Sequence, residues 1–274
     1  MDIKAFKMDG LGNDFVIIDQ RDEAIDLSRD QIIKICDRNY IGCDQLILIK
    51  KHVTIDAGLE FYNSDGSVSG ACGNGTRCVA DLLAKEDNKK EITLWTSGGI
   101  LKSKILGNNL VETEIGIPKT NWSEIPLNEN LDTKNLNIKI QDKNNKEYTG
   151  GTAVNVGNPH IVFFVKNIED YNLEKIGPEI ENHKFFPDKC NVTLAKVVNS
   201  NLIKVRVWER GVGLTKACGT AACATAVVGN IKNLTEKKVD IEFSLGKLSI
   251  SIDTNNSIHM KGPVSDIKNI VIEL

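Results

Sequence analysis

No uninterrupted apolar run in the 274 residues approaches the roughly 20 that a membrane-crossing helix needs. The opening Met1-Asp2-Ile3-Lys4-Ala5-Phe6 lacks the charged segment and long apolar stretch of a secretory leader, so a cytoplasmic protein without membrane partners is expected. An excess of one charge is lacking too. The 34 basic and 37 acidic residues leave a net charge of -3, and no Lys/Arg stripe is interleaved with aromatics, which argues against nucleic acid and for a small-molecule partner. There is no Cys-x-x-Cys pair of the redox type, no dinucleotide or phosphate loop, and no zinc-knuckle spacing. Complete internal pairing of the seven cysteines is excluded because the number is odd. In a reducing compartment they are thiols, either packed or chemically used.

What is present is an ordinary globular composition, 41% hydrophobic and 26% charged, able to bury a core without staples. The length suggests two domains. Short β-branched runs read as strands: Phe15–Asp19, Gln45–Ile49, Glu91–Trp95, Ile161–Val165, Leu202–Val207 and Ile241–Leu245. Gly98-Gly99, Gly107-Asn108-Asn109 and Asp253-Thr254-Asn255-Asn256 supply hairpin turns, so much of the sheet is antiparallel.

Three segments read as helices. Ser28 to Asn39 begins with a capping Ser followed three residues on by Gln31. Asn74 to Lys85 spaces Arg77, Asp81 and Lys85 four apart along one wet stripe. Thr220 to Val228 has no charge at all and belongs inside a structure. The stretch from Pro118 to Asn145 marks the domain crossing, and its Ile and Leu content suggests strands.

One pattern repeats. Ala71-Cys72-Gly73-Asn74-Gly75-Thr76-Arg77-Cys78 returns as Ala217-Cys218-Gly219-Thr220-Ala221-Ala222-Cys223-Ala224, an offset of 218 − 72 = 146, about half the chain. Each copy has a Cys-Gly step opening a helix. Unpaired N–H groups and the positive end of a helix stabilise an anion, so a cysteine there should ionise more readily than a free thiol. The same N–H groups after glycine can hold a carboxylate. Two such thiols, one taking a proton from one face of a carbon and the other returning one to the opposite face, invert a stereocentre without metal or organic cofactor. Zinc is disfavoured: at ~100° per helical residue, Cys72/Cys78 and Cys218/Cys223 point in different directions. Cys36, Cys43, Cys78, Cys190 and Cys223 read as small buried hydrophobes.

These motifs resemble those of the diaminopimelate epimerase family nearly end to end. The resemblance rests on Met8-Asp9-Gly10-Leu11-Gly12-Asn13-Asp14-Phe15, Gly42-Cys43-Asp44-Gln45, Asn63-Ser64-Asp65-Gly66-Ser67, Gly157-Asn158-Pro159-His160, Asn191-Val192 and Glu209-Arg210-Gly211-Val212-Gly213, besides the two Cys-Gly motifs. It implies a cytoplasmic, cofactor-independent isomerase of lysine and peptidoglycan precursor synthesis that interconverts LL- and meso-2,6-diaminopimelate, with Cys72 and Cys218 as acid and base. It implies Gly73, Asn74, Gly219 and Thr220 as donors to the carboxylate at the reacting centre. Asn13, Gln45, Asn63, Asn158, Asn191, Glu209 and Arg210 would complete the substrate-binding set, with Glu209 and Arg210 suited to the distal amino and carboxylate groups. His160 either orients this site or satisfies backbone groups.

The implied fold is α+β, with two pseudo-symmetric domains, each a curved, mostly antiparallel sheet wrapped around a central helix, and the active site in the interdomain cleft. The expected bounds are 1–117 with a return strand in 264–274, and 118–263; a homodimer is compatible with this reading. The chain departs from the family pattern at Asp9, Thr193-Leu194, Leu214 and Ala221. Two other readings stay open: a racemase of the proline-racemase kind, against which Glu209 and Arg210 argue because proline has no second charged end, and a thiol redox or binding protein.

Overall fold

A strand whose apolar residues alternate can leave one face wet, but a strand that is apolar throughout needs cover on both faces. Phe15-Val16-Ile17-Ile18 and Leu46-Ile47-Leu48-Ile49 are of the second kind, and in the computed structural model both faces are covered. The structure describes residues 2–70 and 72–274. Met1 and Ala71, which opens the first Cys-Gly motif, lie outside the described residues. The chain divides into two compact units, Met1–Glu114 with Lys261–Leu274, and Ile115–Met260.

In the first unit, strand Asp2–Gly10 pairs antiparallel with Asn13–Gln20 on one side and with Lys268–Glu273 on the other. Asn13–Gln20 runs parallel to Gln45–Lys50, which is antiparallel to Ala57–Asn63. Ala57–Asn63 pairs antiparallel with the short Val68–Ser69 and parallel with Glu91–Thr96, and the hairpin strands Gly99–Gly107 and Leu110–Gly116 follow. Parallel neighbours cannot be joined by a tight turn, so each parallel pair demands a crossover. The two crossovers carry the helices α1 (Arg29–Cys36) and α2 (Gly73–Asp87). Phe15, Ile17, Ile47 and Ile49 pack toward Val79, Ala80 and Leu83 of α2, while Val16, Ile18, Leu46 and Leu48 pack toward Ile32 and Ile35 of α1. The capping box expected at Ser28 is present, with the Ser28 hydroxyl accepting from the Gln31 N–H and Gln31 accepting from the Ser28 N–H.

The second unit repeats the same order of pairings. Thr152–Asn155 is antiparallel to Pro159–Phe164, which is parallel to Asn191–Asn199. Asn191–Asn199 is antiparallel to Leu202–Glu209, which pairs antiparallel with Gly213–Thr215 and parallel with Lys238–Phe243. The crossovers here carry α3 (Leu173–Glu181) and α4 (Gly219–Ile231). The matching extends to single residues. Gln45 and Asn191 each open a third strand, Tyr62 lies opposite Val68 as Trp208 lies opposite Leu214, and each member of the second unit is displaced by the offset of the two cysteines. A helix with no charge on any side, α4 is buried from Ala221 to Gly229 and packs against five strands of its unit.

α3 lies outside the three segments that read as helices: Gly177 and Pro178 sit inside it, yet Asn172 caps it and Leu173, Ile176 and Ile180 give it an apolar face. Between 118 and 145 the expected strands reduce to Ile138–Gln141, paired with Glu147–Gly150. Ile125, Leu127 and Leu136 are instead core residues on irregular backbone, packed with the α3 cluster. Among the described residues no helix is long and apolar enough to cross a membrane.

Candidate functional site

Cys72 and Cys218 hold equivalent backbone positions, as the residue capping the N-terminus of α2 and of α4, with φ/ψ of −140°/111° and −145°/119°. Extended backbone at a cap points the first N–H groups of the helix outward past the cysteine. Neither first turn carries an acidic side chain that would occupy this positive end. Gly75, one turn in, lets α2 approach the sheet closely: a Cβ there would lie 2.7 Å from Ile47 Cδ1.

Beside Cys72 lie Asn13 and Asn74, while Gln45 and Asn63 face each other on adjacent strands. The Cys72 thiol donates to Asn13 Oδ1 at 3.7 Å, and Asn74 Nδ2 donates to the same oxygen at 3.3 Å. Gln45 Nε2 donates to Asn63 Oδ1 at 2.9 Å, and Asn63 Nδ2 donates to Ser67 Oγ at 3.0 Å. Gln45 Oε1 is a buried acceptor with no donor among the described residues. Asp9 accepts the Gly12 N–H at 2.9 Å and closes the turn before Asn13.

Around Cys218 lie Thr220 and Glu209. The Thr220 hydroxyl is 3.4 Å from the sulfur. Burial first, and then the Glu209 carboxylate beside it, push the Cys218 thiol well up, while Thr220 and the Ala221 N–H pull the other way. The helix end is therefore outweighed by desolvation at this cysteine, contrary to the expectation of a readily ionised thiol. Asn191 joins the turn behind Glu209: its Oδ1 accepts the Arg210 N–H at 3.0 Å and its Nδ2 donates to the Pro159 carbonyl at 3.0 Å. Arg210 Nη1 donates to the Asp188 carbonyl at 2.7 Å. His160 is fully buried, with Nε2 2.8 Å from Asn158 Oδ1.

Burial, with the Arg210 charge adding to it, pushes His160 down to about 3. The unfolded imidazole titrates near ~6.5, so the stability tied to neutral His160 is complete above that pH and declines as the pH falls from ~6.5 toward 3. From pH 6.5 to 5 this one group should remove about 2 kcal/mol. Urea unfolding at pH 7 and pH 5 will show a smaller loss for His160→Gln than for wild type; equal losses would mean that His160 protonates freely in the fold.

The sequence model of diaminopimelate epimerases matches residues 5–120 and 152–267. This chain belongs to the diaminopimelate epimerase family. The diaminopimelate epimerase of Pelagibacter ubique is 75% identical over 274 residues, 100% of both chains. That of Acidiphilium cryptum is 41% identical over 260 residues, 94% of this chain and 92% of its own. Among solved structures, a hydroxyproline epimerase from Agrobacterium vitis has a TM-score of 0.69 at 12% identity, covering 99% of this chain and 93% of that one, which is a likeness of fold.

In this member of the family the turn carrying Glu209 and Arg210 is held by residues that sequence reading passed over. Trp208 Nε1 donates to Glu181 Oε2 at 2.7 Å, and the other oxygen of Glu181 accepts the Gly211 N–H at 3.0 Å. Trp208 reaches Glu181 only because α3 has a glycine under the indole: a Cβ on Gly177 would lie 2.5 Å from the ring. Gly177→Ala should therefore displace Trp208, cost about 1–3 kcal/mol, and raise KM for the epimerase substrate more than it lowers kcat. Thermal unfolding and steady-state kinetics check both parts. A signal for this helix existed in the sequence, in the apolar spacing of Leu173, Ile176 and Ile180, but none pointed to Glu181 as the anchor of a turn 30 residues away.

Proposed function

We propose that the chain interconverts LL- and meso-2,6-diaminopimelate by passing a proton between the α carbon and two cysteines. The observation that carries this reading is the duplicated cap: Cys72 and Cys218 stand at the same backbone position of two equivalent helices. As one sulfur, in its thiolate form, takes the α proton, a new S–H bond forms and the Cα–H electron pair moves into the α-carboxylate. The N–H groups after Gly73 and Gly219, with Asn74 and Thr220 following, suit the charge that builds there. The other thiol then delivers its proton to the opposite face, and the pair ends with its protonation exchanged.

The remaining candidates suit the two amino-acid ends of the substrate. Gln45 Oε1, a buried acceptor lacking a donor, fits an ammonium. Glu209 also fits an ammonium, and one bound there would offset the charge that raises the Cys218 thiol, so that substrate binding itself eases its ionisation. Arg210, tethered through its main chain and Nη1, has donors left for a carboxylate. Asn13, Asn63, Asn158 and Asn191 supply amide contacts that can serve either group.

The test is proton NMR of LL-diaminopimelate with the protein in deuterated water, with proline in parallel. Loss of the α-proton signal together with appearance of the meso isomer is expected with diaminopimelate and neither with proline. Exchange confined to proline would overturn the substrate assignment, and no exchange with either would overturn the reaction.

A further inference from the structure

A primary amide has an acceptor at one end and a donor at the other, and which end of Asn13 faces Cys72 decides whether the sulfur meets a lone pair or a proton. The neighbours at both ends of the network fix the answer. A carboxylate only accepts and a guanidinium only donates. Asp44 Oδ2 lies 2.9 Å from Asn13 Nδ2 and also accepts the Asp14 N–H at 3.0 Å, while Arg38 Nη2 donates to Asp44 Oδ1. On the other side, Arg77 Nη2 donates to Asn74 Oδ1 at 2.9 Å, which leaves Asn74 Nδ2 to donate to Asn13 Oδ1. Each donation named here meets an acceptor, and reversing the Asn13 amide would set its oxygen against the Asp44 carboxylate.

We propose that Asp44 is a positioning residue for Cys72: it pins the Asn13 amide with the carbonyl oxygen toward the sulfur and so favours the protonated form of Cys72 before substrate binds. The inference rests on Cys72 being one of the two proton-transfer groups. A thiol donates to that oxygen, whereas a thiolate would face its lone pairs, and this opposes the pull of the α2 N-terminus. In the second unit Asn158, which precedes the strand Pro159–Phe164, has its oxygen engaged by His160. The charged groups around the network are Lys7, Asp14 and Arg38 beside Asp44, Asp9 at the turn before Asn13, and Arg77 behind Asn74.

Asp44→Asn tests this. Arg38 still claims the carbonyl end of the new side chain, so its NH2 faces Asn13: the acceptor that pinned the Asn13 amide is gone, and only the Asn74 donor still holds the carbonyl oxygen toward Cys72. Removing a negative charge could by itself ease thiol ionisation, so Asp14→Asn serves as the control: it removes an equal charge from the same cluster without touching the Asn13 side chain. The rate of Cys72 alkylation by iodoacetamide is followed against pH and located by peptide mass spectrometry. In Asp44→Asn the midpoint should fall by about 0.4–1 pH unit, the size of one hydrogen bond made or lost, with kcat/KM on diaminopimelate down about 3–10-fold. In Asp14→Asn the shift should be much smaller. An unchanged midpoint in Asp44→Asn, or equal shifts in the two variants, would overturn the proposal. Wild-type protein that fails to turn over diaminopimelate while Cys72 shifts as described would instead overturn the functional reading and leave the pinning intact.

Discussion

Cys72→Ala and Cys218→Ala are each expected to lower diaminopimelate epimerisation by about 10²–10⁴-fold, the usual contribution of a positioned acid or base. The two losses should not multiply, because inversion needs both groups and either variant already stops it. A finer outcome follows from the duplicated cap. With one sulfur gone the other can still remove a proton from its own side and return a deuteron to that side, so each variant should exchange the α proton of one epimer only, and the two should choose opposite epimers. NMR of LL- and meso-diaminopimelate in deuterated water reads this directly. If either variant kept more than a tenth of wild-type epimerisation, the two-thiol mechanism would be wrong.

Arg210→Ala is the second large effect. Losing a charge-assisted contact to a carboxylate costs about 1.5–3 kcal/mol, or about 10–150-fold in kcat/KM. Arg210→Lys should recover little of this, because an ammonium keeps the charge but not the planar fork, and the Nη1 tether to the Asp188 carbonyl is lost with it. Cys218 alkylation should be nearly unchanged in both variants. Full kcat/KM in Arg210→Ala would remove Arg210 from the substrate site.

The features legible in the sequence are those written in adjacent residues. Ser28 and Gln31 announced their own capping box, and the two Cys-Gly steps announced two helix starts. The uninterrupted Phe15-Val16-Ile17-Ile18 run announced a strand, although only the structure shows a helix on each face. What was hidden depends on residues far apart in the chain. The orientation of Asn13 is set by Asp44, 31 positions away, and the turn at Gly211 by Glu181. At Cys218 the helix end that favours ionisation is written in the Cys-Gly step, whereas the burial that opposes it depends on what surrounds the helix. The sign of it was present in α4, whose lack of any charge already meant burial.

The pairing of Asp2–Gly10 with Lys268–Glu273 reaches beyond the finished fold. A ribosome that has made residues 1–260 has supplied the whole second unit, yet the first still lacks the partner for one side of its earliest strand. During synthesis that strand exposes unpaired N–H and C=O groups, which other nascent chains can recruit. The unit translated later is thus the first able to complete itself, and the arrival of Lys268–Glu273 closes the vulnerable edge.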